Sequence, residues 1–314
     1  MSRHLQILTI TVGAVLAGLP AIHSASAAEA VVPIPTPAAA NVATSKSAAI
    51  PEVVVHGRSS ELAPRVLSFV DQIAAPEYED GPARWSNRVC PLVFGLPKAE
   101  GEFMLARISL VARTAAIPLA GEQCRPNLYV MVTGNPKAFL QVQDKWHRSG
   151  MFGNAGPRVV DEFVNTPRPV RVWYNTNLIT PDGINIGGGD PVASSNGPTA
   201  HATASHSDAS RLKRNVVSSF TTVLVVIDQT RLHGVSRGQL ADYVGMVGLA
   251  KLKPELHVVG APSILTLFDG APQAAPGSLT DWDGAFLKSL YETDPESRLQ
   301  RSQIAVNMIQ EMVP

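Results

Sequence analysis

Apolar residues recur along this chain at two spacings, and the spacing predicts most of its elements. Over residues 62–74, Leu62, Val66, Phe69, Val70 and Ile73 follow a helical interval, and over 100–116 so do Met104, Ile108, Val111 and Ala115. Continuous apolar runs at 127–133 and 218–227 predict buried strands. Residues 53–55 and 171–175 are further strand candidates, and 84–96 reads as an extended segment leading into a turn. Asn135-Pro136 opens another helix, with Asn135 as cap and Pro136 in the first turn. Two helices close the chain, one capped by Thr280 and rich in Asp281 and Asp283, the other spanning 296–312. The alternation of strands and helices predicts an α/β (α+β) fold, a mixed sheet packed against helices.

The central element of the pattern is a helix over 236–253. Ser236 and Gln239 have the spacing of a capping box, and Pro254 sets the stop. Leu240, Tyr243, Val244 and Val247 share one apolar face, while Ala241, Gly245 and Gly248 form a strip with almost no side chain. Glycine inside a helix costs roughly 1 kcal/mol relative to alanine. A strip with two of them predicts a close neighbour.

Composition narrows the setting. The 314 residues are 45% apolar and 17% charged, with 26 basic and 26 acidic side chains. Without a basic block, nucleic acid is not an expected partner. Residues 1–28 read as a secretory signal: Arg3 and His4, then an apolar run, then the small residues Ala25, Ser26, Ala27 and Ala28. Residues 29–51, rich in Ala and Pro, form an extended, disordered tether. Residues 52–314 are expected to form one domain, with an upper part over 52–235, a flexible loop at 180–210 and a lower helical part over 236–314. The remaining sequence offers no membrane span, and the protein is expected to be periplasmic or secreted. Export makes the only two cysteines, Cys90 and Cys124, an expected disulfide.

Candidate chemistry is sparse. Gly234-Val-Ser236-Arg-Gly238 matches G-x-S-x-G, but Thr230, Arg231, Leu232 and His233 intervene between it and its strand, and only His257 follows as a histidine. Capping explains Ser236. Gly187-Gly188-Gly189 lacks the strand–helix context of a phosphate loop. His201, His206 and Asp208 lie in a Ser/Thr/Ala loop, where an adventitious ion is the most they suggest. His233 and His257 flank the central helix, neither at i,i+4 from another ligand-type residue.

The last ~90 residues of the chain resemble the C-terminal part of a zincin, most closely its metzincin branch. That family carries H-E-x-x-H-x-x-G-x-x-H on a helix, then a turn around a buried methionine, then a helix of the form L-[ST]-x-x-D-x-x-x-[LI]-x-x-L-Y. Residues 241–251 stand in the first position, Ser263-Ile264-Leu265 is similar to the turn with Leu265 in place of methionine, and Leu279-Thr-Asp-Trp-Asp283 through Leu290-Tyr291 is similar to the third. The whole also resembles uncharacterised exported bacterial proteins with a zincin-like domain.

In this register the histidines become Ala241, Gly245 and Lys251, and the glutamate becomes Asp242. A catalytic zinc takes three N, O or S ligands, so the resemblance implies a scaffold without catalytic residues, metal or cofactor. A register shifted by two offers Gln239 and Tyr243, no better a set. Asp242 alone reads as a solvent-facing helix residue. The expected function is non-catalytic binding of a peptide or envelope partner; the alternative is a hydrolase built on Asp228, His233 and Asp242.

Overall fold

Strands and helices fall largely where the apolar spacing puts them, in the computed structural model, which describes residues 56–75, 82–146, 151–153, 155–180, 183–187 and 213–313. The segments expected as signal and tether, the strand candidate at 53–55 and the group His201, His206 and Asp208 lie outside the described residues. The order is α1 (His56–Ile73), β1 (Pro91–Phe94), α2 (Lys98–Thr114), β2 (Leu128–Thr133), α3 (Pro136–Trp146), α4 (Pro157–Asn165), β3 (Val170–Ile179), β4 (Asn185–Gly187), β5 (Val217–Asp228), α5 (Arg237–Leu249), α6 (Asp281–Glu292) and α7 (Gln300–Met312).

The five strands make one mixed sheet in the order β1-β2-β5-β3-β4. β1, β2 and β5 are parallel, β3 runs antiparallel to β5, and β4 antiparallel to β3. β5 lies inside the sheet between β2 and β3, which is why its apolar run is continuous. Gly95 makes the turn after β1 at φ +85°, and a Cβ there would meet the Val132 carbonyl oxygen at 2.0 Å. Only glycine fits that bend.

Alternation along the strands sorts the core into two layers. Leu128, Val130, Val223, Val225 and Ile227 face the larger one, with residues of α1, α2, α5, α6 and α7. Leu224 and Val226 point the other way, toward Leu140 of α3 and Val160 and Val164 of α4. Phe152, Phe163 and Trp173 close that smaller layer edge to face, with ring centroids 4.9–5.9 Å apart.

One polar device and one covalent link tie distant segments together. Arg84, 7% exposed, donates to the Leu290 and Thr293 carbonyls at the end of α6, at 2.8 and 2.6 Å, and to Gln300 Oε1 at 2.8 Å. A cation at a helix C-terminus meets the negative end of the dipole, yet burial pushes this guanidinium down to about 10. Cys90, just before β1, and Cys124, between α2 and β2, form the expected disulfide, their Cα atoms 6.1 Å apart.

The structure departs from expectation at several places. The central helix ends at Leu249, four residues before 253, and Ala250 adopts an extended conformation as its C-cap. Ala75 N donates to the Lys251 carbonyl, Lys253 N donates to that of Ile73, and Leu252 forms an isolated bridge with Ala74. This pairing with the end of α1 draws the backbone out of the helix before Pro254 is reached. Helix α4 was not expected; its nine residues give fewer than three turns of periodicity. Within the expected loop at 180–210, residues 185–187 form β4. Among the described residues no helix is long and apolar enough to cross a membrane.

Candidate functional site

Helix α5 begins as its sequence dictates. Gln239 N donates to Ser236 Oγ at 3.2 Å, and Ser236 N donates back to Gln239 Oε1 at 3.1 Å, which completes the capping box. The opposite end has a less legible solution. Ala250 N donates to the Met246 carbonyl. The next three carbonyls each take a donor from an aromatic side chain: Tyr174 Oη to Val247 at 2.8 Å, Trp85 Nε1 to Gly248 at 3.0 Å, and Tyr291 Oη to Leu249 at 2.7 Å. Every orphan carbonyl of the buried terminus is thereby satisfied. Trp85 had no readable role in the sequence, because its partner lies 163 residues away.

The small-residue strip is filled. A Cβ on Gly245 would meet Val111 Cγ2 of α2 at 3.2 Å, and one on Gly248 would meet Leu128 Cδ1 of β2 at 3.1 Å. Ala241 is fully buried beside them. Beyond its first two residues α5 is covered too: from Gln239 to Leu249 every residue but Tyr243 is buried, so that part of the helix has no solvent face. Ala241 and Gly245 thus pack inside the core, while Lys251 lies beyond the helix end.

Asp242 reverses its expected setting. It is fully buried rather than solvent-facing. Arg107 of α2 donates through Nε to Oδ1 at 2.5 Å and through a terminal nitrogen to Oδ2 at 2.7 Å. The backbone N–H of Leu279 adds a third bond to Oδ2 at 2.7 Å. Buried charge is tolerated only when paired and hydrogen-bonded in this way. The hydrogen bonds to Asp242 hold the Arg107 guanidinium above its ordinary pKa.

A second buried carboxylate joins the next two segments. Asp283, near the start of α6, accepts from Ser263 Oγ at 2.5 Å, Ile264 N at 2.8 Å, and Thr280 N and Oγ1 at 3.0 and 2.8 Å. Burial pushes its carboxyl above the usual range against the pull of those four donors. The turn Ile264–Phe268, a 3-10 helix, is thus pinned to the cap of α6.

The remaining candidates stay apart. Asp228 Oδ1 accepts from Thr230 N at 3.0 Å and Thr230 Oγ1 at 2.6 Å, capping its own turn. His233 is exposed. Among the described residues no hydrogen bond joins Asp228, His233 and Asp242. Gln239 donates to the Pro272 and Pro276 carbonyls at 2.9 and 3.0 Å. Tyr243 packs edge-on against Phe268, and burial pushes its hydroxyl up to about 12. Among the described residues no three of the His, Cys, Asp and Glu side chains gather into a group able to hold a metal ion. No family model, curated protein or solved structure matches this chain.

Proposed function

We propose that the chain is a non-catalytic exported protein on a zincin-like scaffold of metzincin type, which binds a peptide or an envelope partner. One observation carries the non-catalytic half. Asp242, in the place of the family's glutamate, is fully buried with both oxygens bonded to Arg107 and to Leu279 N, so it is held as a structural ion-pair member away from the solvent on which a general base would act. The packing of Gly245 on Val111 and of Gly248 on Leu128 supports the same reading, since it closes the strip along the helix. The scaffold half draws support from the ties among the three resembling pieces: Asp242 bonds the chain just before α6, and Asp283 of α6 bonds the 264–268 turn. Export draws support from the disulfide.

Metal analysis of the purified protein tests the first half, with no stoichiometric zinc and no peptidase activity expected. Tightly held zinc at one equivalent would overturn it. Capture from the envelope of the source cell tests the second half, with a defined peptide or protein partner expected; an empty capture counts against it.

A further inference from the structure

The carboxyl ends of the parallel strands hold a cluster that the α5 region does not use. β2 and β5 are parallel neighbours. The chain leaves β2 for α3 on one face of the sheet and β5 for α5 on the other. Ligands of open α/β sheets bind in the crevice such a divergence opens. At this edge β5 ends in Asp228, and Arg231 follows with Nε 3.3 Å from Asp228 Oδ2. Antiparallel pairing sets Arg171 beside Val226, two residues before Asp228, on the α3–α4 face. Arg168 stands three residues earlier, bonded to the Pro254 carbonyl at 2.7 Å and 3.5 Å from Glu255.

The charges do not balance locally. Asp228 already takes two bonds from Thr230 on Oδ1, and the Glu255 side chain is 80% exposed. Arg171 is the telling member. It is 5% exposed; its Nε donates to the Thr166 carbonyl at 2.8 Å, while one terminal nitrogen, Nη1, is buried with no hydrogen-bond partner among the described residues. A buried, unsatisfied donor on a charged group is costly, and native structures meet such donors with an ion or a water. Burial lowers the pKa of Arg171; Asp228 opposes that, while Arg231 and Arg168 add to it. A guanidinium is the side chain best matched to oxyanions, through paired N–H donors.

We propose that this crevice binds a small oxyanion of the phosphate or sulfate class, held by Arg171 and Arg231. The site is independent of the zincin-like reading, since it lies at the strand ends and uses none of the residues that carry the resemblance.

Inorganic phosphate and sulfate, titrated into the full chain at constant ionic strength, test it. The expected result is a saturable rise in Tm over chloride, with phosphate binding at least tenfold weaker in Arg171→Gln and in Arg231→Gln. Arg113→Gln, on α2 across the sheet, is expected to bind as the parent does. Should Arg171→Gln fail to fold, Arg231→Gln keeps the test, because its side chain is 47% exposed. Equal Tm in phosphate and chloride, or unchanged phosphate affinity in Arg231→Gln, overturns the site and assigns the Arg171 donor to a buried water.

Discussion

Arg107 and Asp242 lie 135 residues apart in sequence and meet through two hydrogen bonds, 2.5 and 2.7 Å long, that fasten α2 to α5. The carboxylate is fully buried while the arginine side chain is 32% exposed. The pair is therefore asymmetric: loss of the arginine strands a buried charge, whereas loss of the aspartate leaves a cation that can reach water.

Arg107→Met is accordingly expected to destabilise by about 2 to 3 kcal/mol, less than the cost of breaking a wholly buried pair because water reaches the arginine. The double variant with Asp242→Asn should recover part of that loss. Urea unfolding of the four proteins of the cycle measures the coupling; additive effects would show that the pair contributes nothing specific.

Adding a methyl to the packed strip sets two terms in opposition. Alanine gains roughly 1 kcal/mol of helix propensity over glycine, while overpacking costs about 1 to 3 kcal/mol. At Gly245 the new Cβ meets three atoms of Val111 at 3.2–3.4 Å, and that β-branched side chain has little freedom to move. Gly245→Ala is expected to lose about 1 kcal/mol net, and Val111→Ala in the same chain to relieve its overpacking. Gly248→Ala meets the outer methyls of Leu128 and should be the milder change. Denaturation midpoints rank the three.

Removing the Cys90–Cys124 link frees a loop with a sequence separation of 34. On the chain-entropy account the Cys90→Ser, Cys124→Ser variant should lose roughly 3 to 4 kcal/mol. Reduction of the parent protein should lower its Tm to that of the variant.

Asp283 makes a pH dependence opposite to that of a salt-bridged carboxylate. Its folded pKa lies above the ordinary value of 3.8, so between the two values the folded state holds a proton that the unfolded state has released. Its contribution is full below pH 3.8 and is lost as pH rises through the folded pKa. The stability advantage of the parent over Asp283→Asn is expected to be largest in acid and to shrink toward neutral pH. A pH-independent difference would show that the four donors fully offset burial.

Local chemistry made much of this readable from the chain. The capping box at Ser236 and Gln239, the Asn135 cap, the Thr280 cap with Asp283, and the β2 and β5 runs each depend on residues a few positions apart, where sequence pattern and physics coincide. The two glycines on α5 also announced a close neighbour, though not that Val111 and Leu128 would supply it. Asp242 was misread because its partners, Arg107 and Leu279, are 135 and 37 residues distant. Nothing within a helical turn separates a buried, paired aspartate from an exposed one.

The sequence by itself determined the type of most elements, though not of α4 or β4, together with the pairing of its two cysteines and the absence of histidines from the α5 positions, since these follow from composition and short-range spacing. Only the tertiary structure decided where α5 ends, which aromatic donors close it, and how Arg171 comes to lie beside Val226 at the end of β5. Those outcomes depend on how distant segments share one sheet and one core, and short-range pattern carries no record of contacts between segments far apart along the chain.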